Sequence, residues 1–228
     1  MKIGVVIFPG SNCDHDMIYS LQTILKQDVV EIWHKDKNLQ DVDAIALPGG
    51  FSYGDYLRSG AIARFSPIME KVVDFANKGG YVFGVCNGFQ VLCETGLLPG
   101  ALLHNTNQQF ICKNQYIKPI TNKTVFTSGL DTSKALKIPI AHGEGRYYAG
   151  KDVLQELHLN DQILFRYCDE NAKVSEQFNP NGSVENIAGI CNKNRNVFGM
   201  MPHPERAADS EIGNADGLLI LKSLVDSL

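Results

Sequence analysis

Short apolar runs recur through the first half of the chain. They lie at 2–8 (apolar after its first lysine), 29–33, Ala44–Leu47 and Tyr81–Val85. A strand that is covered on both faces is apolar along its length, whereas a half-exposed strand alternates between apolar and polar residues. These four runs therefore predict buried strands.

Two amphipathic segments between these runs predict helices. One begins near Asp14 and the other covers 62–77. Their apolar residues recur at helical spacing: Met17, Leu21, Ile24 and Leu25 in the first, and Ile68, Val72 and Phe75 in the second. Strands that alternate with helices imply a mostly parallel open sheet with right-handed crossovers.

The second half of the chain has a different composition. Asparagine, glycine and threonine are frequent over 97–191, and β-prone stretches lie at 110–120, 163–167 and Ile187–Cys191. This pattern predicts a smaller antiparallel or mixed sheet. An amphipathic segment over 216–228 predicts a closing helix. Without a repeat or a linker, the pattern indicates one α/β domain over residues 1–228.

Composition excludes several classes of protein. Of the 228 residues, 44% are hydrophobic and 20% are charged, which is ordinary for a globular protein. The net charge of −4 gives no basic surface for nucleic acid or an anionic membrane. No apolar run approaches the roughly 18 residues of a membrane span. Six cysteines are too few for a disulfide scaffold, so we expect free thiols and a cytoplasmic protein.

The strongest chemical signal is the sequence Gly-Val-Cys-Asn-Gly centred on Cys86. It follows a predicted buried strand and precedes a predicted helix, which is the context of a nucleophile elbow. The two glycines, Gly84 and Gly88, leave room for the sharp turn. The helix N-terminus favours the thiolate. The backbone N–H of Asn87 is placed to donate to a developing oxyanion.

A cysteine nucleophile needs a base and a group that orients this base. His203 follows a short apolar strand, Val197–Met200, and lies between two prolines. Glu205 is two residues further on, on the same side of an extended segment. We therefore predict that His203 contacts the Cys86 thiol and that Glu205 fixes the tautomer of His203.

Glycines also follow the third strand. Gly49 and Gly50 end the run Ala44–Leu47, so this backbone can approach a ligand closely at the edge of the sheet that carries Cys86. Gly50 is a candidate for the second oxyanion N–H.

The remaining cysteines and polar clusters carry weaker signals. Metal binding by the cluster at 13–16 is one interpretation, but capping of the first helix by Asn12 or Asp14 is favoured over it. There is no C-x-x-C, no H-E-x-x-H and no P-loop, so the sequence predicts no metal site and no ATP site. Four cysteines are interpreted as packing residues: Cys93, Cys112, Cys168 and Cys191.

Together these motifs resemble the class I (triad) glutamine amidotransferases. Within this class the chain is most similar to the glutaminase subunits of phosphoribosylformylglycinamidine synthase. The segments that carry this closer resemblance are 8–14, 50–58, 84–90, 142–146 and 202–206. The resemblance implies the flavodoxin-like sheet of that class.

The resemblance also implies a mechanism. Cys86 would form a γ-glutamyl thioester with L-glutamine, His203 would transfer protons, and Glu205 would orient His203. The N–H groups of Gly50 and Asn87 would hold the oxyanion. The substrate would be bound by Gly49, Gln90, His142, Gly143 and Glu144.

Partners are implied in the same way. A glutaminase without an ATP motif would supply ammonia to a synthetase subunit that carries ATP and magnesium, together with a small third subunit. That enzyme would convert formylglycinamide ribonucleotide to its amidine, and this chain itself would bind no cofactor. The loop at 52–65 and the segment at 12–15 are candidates for the partner surface. Two alternatives stay open: a γ-glutamyl-hydrolase-like cysteine hydrolase, and a catalytically silent binding protein of the same fold.

Overall fold

The main feature of the computed structural model, which describes residues 1–227, is a sheet of nine strands. A separate sheet has two strands. In this part of the chain the strands are β1 (Lys2–Ile7), β2 (Asp28–Trp33), β3 (Ala44–Leu47), β4 (Tyr81–Val85), β5 (Ala101–Leu103), β6 (Ile111–Pro119), β7 (Leu136–His142), β8 (Arg146–Tyr148), β9 (Ile163–Cys168), β10 (Ile187–Cys191) and β11 (Val197–Met200). The α-helices are α1 (Asp14–Ile18), α2 (Pro67–Asn77), α3 (Asn87–Glu94), α4 (Lys151–Leu159) and α5 (Asp216–Ser227).

The strand order of the large sheet is β2-β1-β3-β4-β11-β10-β9-β6-β7. The strands from β2 to β11 are parallel to one another. From β11 onward, through β10, β9, β6 and β7, each strand is antiparallel to the next. Strands β5 and β8 form the separate antiparallel pair. The predicted fold class is therefore confirmed. The structure adds that most antiparallel strands of the second half continue the parallel sheet.

The parallel half positions three loops at one edge. Strands β3, β4 and β11 are neighbours, in register from Ala44 beside Tyr81 and from Val197 beside Val82. All but the first residue of β4 in these strands are buried, as the apolar runs predict. Their carboxyl ends lead to Gly49, Cys86 and the segment before His203, so the sheet brings these chain positions to one place.

Residues of the antiparallel half also contact this edge of the sheet. Strand β7 lies four positions from β11 in the sheet, yet the Pro139 carbonyl accepts a hydrogen bond from the His203 N–H at 2.8 Å. The Cys86 thiol lies 3.7 Å from the Ala141 carbonyl. The edge strand β7 therefore packs across the carboxyl ends of the parallel strands.

Several predicted boundaries differ from the structure. The helix predicted over 62–77 is divided into a short 3-10 turn, Ala63–Phe65, and α2. The break is at Ser66, which is extended because the ring of Pro67 disfavours helical backbone in the residue before it. The first predicted helix continues beyond α1 as a π-helix, Tyr19–Ile24.

Four elements were not predicted: β5, β7, β8 and α4. The closing helix predicted over 216–228 is α5, and Leu228 lies outside the described residues. Within residues 1–227, no helix is long and apolar enough to cross a membrane.

Candidate active site

Cys86 occupies a strained turn between β4 and α3. Its φ of 51° and ψ of −105° are unusual for a residue with a side chain. The predicted need for small neighbours is visible in the contacts. A Cβ on Gly84 would lie 2.6 Å from the backbone of Gly88, and a Cβ on Gly88 would overlap the carbonyl oxygen of Leu47. The turn therefore requires glycine at both positions.

Hydrogen bonds hold this turn in the sheet. The Cys86 N–H donates to the Met200 carbonyl at 2.7 Å, and the Cys86 carbonyl accepts from the Gln90 N–H at 3.1 Å. The first bond fixes the end of β4 to the end of β11, and the second begins the ladder of α3. The Cys86 side chain is buried at the helix N-terminus, where free N–H groups favour a negative charge.

His203 and Glu205 form a buried pair beside this turn. Their Nδ1 and Oε1 atoms are 2.6 Å apart, and the two residues are only 1% and 3% exposed. The Glu205 carbonyl accepts a further hydrogen bond from the Ser20 hydroxyl at 2.9 Å. The other ring nitrogen of His203, Nε2, has no hydrogen-bond partner in the described part of the chain.

The electrostatics of His203 are set by its neighbours. Burial by itself lowers the pKa of His203, but the Glu205 carboxylate and the Cys86 thiol outweigh this effect and hold the pKa well above its usual value. With Glu205 on Nδ1, the pair can carry an imidazolium next to a thiolate, which is the charge pattern of an activated cysteine.

Gly49 shows how closely the three loops approach. A Cβ on Gly49 would lie 2.6 Å from Cε1 of His203 and 3.3 Å from the Cβ of Cys86. The next residue, Gly50, has a φ of 128°, and a Cβ there would lie 2.6 Å from the Asn12 backbone nitrogen. Glycine is therefore required at the turn that sequence analysis selected for the oxyanion.

The structure brings together most of the residues predicted to bind substrate. Gln90 Nε2 donates to the Glu144 carbonyl at 2.7 Å, and Gln90 Oε1 accepts from the Asn87 side chain at 2.9 Å. His142 is buried, and its Nε2 has no partner among residues 1–227. Burial and the charge of His203 lower the pKa of His142 to about 4, so this imidazole is neutral at pH 7.

Asn105 was not predicted from the sequence, and it fixes the segment 142–145, which includes residues predicted to bind substrate. The Asn105 N–H donates to the Gly143 carbonyl at 2.9 Å, and its side-chain amide donates to the His142 carbonyl at 2.9 Å. Its oxygen accepts from the Gly145 N–H at 3.1 Å. Asn105 lies 37 residues from His142, so no local pattern indicates this contact.

Cys13 belongs to the cluster at 13–16, for which helix capping was favoured over metal binding, and its structural setting differs from the favoured interpretation. It is the residue that precedes α1, and no side chain caps this helix, so the predicted capping by Asn12 or Asp14 is wrong. The Cys13 thiol lies instead beside His203 and Glu205, with one ligand atom of each within 4.8 Å of the others. In the described chain, this is the group of side chains whose spacing would suit a metal ion.

Other thiols are in inert surroundings. Burial raises the pKa of Cys168 and of Cys191 to about 12 and also raises that of Cys93. A protonated thiol is a poor nucleophile. Their setting agrees with the interpretation of these three cysteines as packing residues. Cys112 is exposed, so its interpretation as a packing residue is wrong.

Comparison with known families establishes the class of protein that has this fold and this site. Residues 1–215 match the family of CobB/CobQ-like glutamine amidotransferase domains, and the chain belongs to this family.

Individual relatives are similar over the full length. The chain is 54% identical over 228 residues to phosphoribosylformylglycinamidine synthase subunit PurQ of Koribacter versatilis (strain Ellin345), covering 100% of this chain and 99% of the relative. It is 53% identical over 225 residues to the PurQ subunit of Aquifex aeolicus (strain VF5), covering 99% of each.

Solved structures agree. A chain of the PurLQS structure from Thermotoga maritima superposes with a TM-score of 0.87 at 41% identity, covering 99% of this chain and 97% of that one. Another glutamine amidotransferase from Thermotoga maritima has a TM-score of 0.59 at 13% identity, covering 100% of this chain and 91% of that one, and shows the shared fold alone.

Proposed function

We propose that this chain is the glutaminase subunit of a phosphoribosylformylglycinamidine synthase. The observation that carries the proposal is the buried His203–Glu205 pair beside Cys86 at its strained turn. The full-length similarity to PurQ subunits selects the synthase among the reactions that use glutamine-derived ammonia. We also propose that residues 1–228 form one domain, in agreement with the single cluster of buried apolar residues.

The chemistry follows from the three side chains. The Cys86 thiolate attacks the side-chain amide carbon of L-glutamine and forms a tetrahedral anion. The backbone N–H groups of Gly50 and Asn87 stabilise the oxyanion, a contribution of about 10²–10³ in rate per donor. His203 gives its proton to the nitrogen, ammonia leaves, and a γ-glutamyl thioester remains.

The second half of the reaction releases glutamate. His203, now neutral, takes a proton from water, which attacks the thioester carbon, and the Cys86 sulfur leaves as thiolate. Glu205 holds the imidazole on Nδ1 and stabilises its charged form. A positioned acid–base of this kind contributes about 10²–10⁴ in rate. The substrate is held by Gly49, Gln90, His142, Gly143 and Glu144.

Ammonia then passes to a partner. We propose a small third subunit and a synthetase subunit that depends on ATP and magnesium, while this chain binds no cofactor of its own. The similarity to a chain of a PurLQS structure supports this assembly. In the partner surface that we place at 52–65 and 12–15, Tyr56, Leu57 and Phe65 are 86%, 76% and 73% exposed. Six free cysteines favour the cytoplasm as the compartment.

A glutamine-mimicking diazoketone tests the proposal. With the ligand-bound synthetase subunit present, we expect one adduct per chain, on Cys86, by peptide mass spectrometry. Cys112→Ser, which removes an exposed thiol outside the site, should retain this adduct, and Cys86→Ser should lose it. Absence of an adduct on the wild-type chain would contradict the proposal. Hydrolysis of poly-γ-glutamate in preference to glutamine would favour the γ-glutamyl hydrolase alternative.

A further inference from the structure

Asp55 lies next to the residues that we propose bind the substrate. It ends the short 3-10 turn Ser52–Asp55 in the loop beyond Gly50. Its Oδ1 accepts from Asn87 Nδ2 at 3.4 Å, and the same Asn87 nitrogen donates to Gln90 Oε1 at 2.9 Å. One amide nitrogen therefore joins the Asp55 carboxylate to the Gln90 side chain.

This carboxylate has no cationic partner. None of the ion pairs in residues 1–227 includes Asp55. The nearby Glu144 accepts from the Ser59 N–H at 3.2 Å, and burial together with the Glu144 charge raises the pKa of Asp55. Glu144 Oε1 has the His104 imidazole nitrogen Nε2 at 3.4 Å, whereas Asp55 has no such neighbour among the described residues. A cation beside Asp55 would therefore relieve its repulsion from Glu144.

Independent polar atoms around this position also require a ligand. Ser52 Oγ and His142 Nε2 are buried and have no hydrogen-bond partner in the described chain. Ser52 belongs to the turn that carries Asp55, and His142 to the segment that carries Glu144. Buried polar groups are normally hydrogen-bonded, so these two atoms remain available to a polar ligand. The Ser52 N–H also donates to Asn87 Oδ1 at 3.3 Å, so this turn contacts the same Asn87 side chain as Asp55.

The dimensions of glutamine match this arrangement. Its α-ammonium nitrogen lies about 5 Å from the amide carbon when the side chain is extended. Gln90 follows Cys86 by four residues, a rise of about 6 Å along α3. A glutamine whose amide carbon is at the Cys86 sulfur is therefore about as long as the separation of Cys86 and Gln90 along α3, and Asp55 shares the Asn87 amide with Gln90.

We infer that Asp55 binds the α-ammonium group of L-glutamine. It thereby selects an α-amino acid over a simple amide of the same length. The inference rests on the proposed glutaminase function. The position next to Gln90, the absence of a protein cation at Asp55 and the positive charge of this end of the substrate carry it.

The test compares two substrates in the assembled complex with the synthetase subunit. L-Glutamine carries the α-ammonium group, and 4-carbamoylbutanoate lacks it. Asp55→Asn keeps an oxygen that accepts from Asn87 and removes the charge. We expect kcat/KM for L-glutamine to fall about tenfold to a hundredfold, mostly through KM, because a charge-assisted hydrogen bond is lost. The kcat/KM for 4-carbamoylbutanoate should stay within about threefold, which also shows that the variant is folded.

Asp131→Asn is the matched control, because Asp131 is an exposed aspartate whose carboxylate bonds locally to Ser133. It should leave both substrates unaffected. Equal losses for the two substrates in Asp55→Asn, or no loss for L-glutamine, would overturn the inference and leave the glutaminase function standing. A wild-type complex that hydrolyses neither substrate would overturn the proposed function and this inference with it.

Discussion

The neighbours of the two buried histidines of the site shift their pKa values in opposite directions. Burial disfavours the charged form of both, but His203 has the Glu205 carboxylate at 2.6 Å and its pKa is raised. His142 has no carboxylate partner, and the charge of His203 adds to burial in lowering its pKa. One positive charge is therefore confined to the histidine beside Cys86, where the proposed reaction uses it.

His142 should make the protein sensitive to acid. Its pKa of about 4 in the folded chain lies below the usual 6.5, so the unfolded chain takes up this proton first as the pH falls. The stability that neutral His142 contributes above pH 6.5 is then lost progressively down to pH 4. Between pH 7 and pH 5, the free energy of unfolding should fall by about 2 kcal/mol more in the wild type than in His142→Gln.

Urea denaturation at the two pH values measures this difference. His15→Gln is the control, because His15 is exposed at the surface, and it should retain the full loss seen in the wild type. An equal loss of stability in the wild type and in His142→Gln would contradict the assignment of acid sensitivity to His142.

At the scale of elements, the junction of α3 and β3 determines the geometry of the site. The Gly88 backbone rests against the Leu47 carbonyl, with no space for a methyl group. Leu47 is the last residue of β3 and leads directly to Gly49 and Gly50. The position of the helix and that of the loop that we propose for the oxyanion are therefore fixed by the same contact.

Gly88→Ala should disturb the positions of both α3 and the loop at Gly49 and Gly50. The new Cβ would also lie 2.7 Å from the Leu47 carbonyl carbon, and backbone cannot yield as a flexible side chain does. We expect a loss of at least about 2 kcal/mol in the free energy of unfolding, measured in urea, and a loss of labelling at Cys86. Gly150→Ala, at a glycine with open space around it and a φ of −68°, should lower stability by no more than about 1 kcal/mol, the cost of alanine at the N-cap of α4. Equal stability of the two variants would contradict this account.

Local sequence pattern was sufficient for the elements with continuous apolar runs. Four predicted strands have the observed bounds: Ala44–Leu47, Tyr81–Val85, Ile187–Cys191 and Val197–Met200. Strand β7 was missed because its buried and exposed residues alternate and because it contains Pro139. Proline is tolerated there since β7 is an edge strand of the sheet, a property that only the assembled topology reveals.

In the site, too, local features could be predicted from the sequence and long-range contacts could not. The glycines around Cys86 and the His203–Glu205 spacing are local and were readable in the sequence. The contacts of Asp55 with Asn87 and of Cys13 with His203 join residues distant in the chain. Such contacts depend on how loops from different strands meet at the edge of the sheet, which local pattern does not determine.

At the scale of the molecule, the two halves of the sheet have different roles in building the site. The parallel half delivers Gly50, Cys86 and His203 on the carboxyl ends of β3, β4 and β11. In the antiparallel half, the Pro139 carbonyl of β7 accepts a hydrogen bond from the His203 N–H and so holds the backbone of His203. In the loop at 52–65 that we propose for the partner, Tyr56, Leu57 and Phe65 are exposed, whereas Ser52, Ser59 and Ala63 are buried. Asp55 of this loop contacts Asn87 beside Cys86, so a partner bound to the exposed residues would lie near the site.

Loss of ammonia production in this chain should leave the use of ammonia by the synthetase subunit intact. Cys86→Ala removes the nucleophile and leaves the fold, because alanine is smaller than cysteine and Cys86 makes few polar contacts. In the complex with the synthetase subunit, this variant should lose glutamine-dependent amidine formation by at least about 10³-fold, since no thioester can form. Synthesis from added ammonium salt should stay within about twofold of the wild type, because ammonia then reaches the synthetase without this site. Loss of the ammonium-dependent reaction, measured in the same assay with the variant shown to co-purify, would mean that this chain does more than supply ammonia.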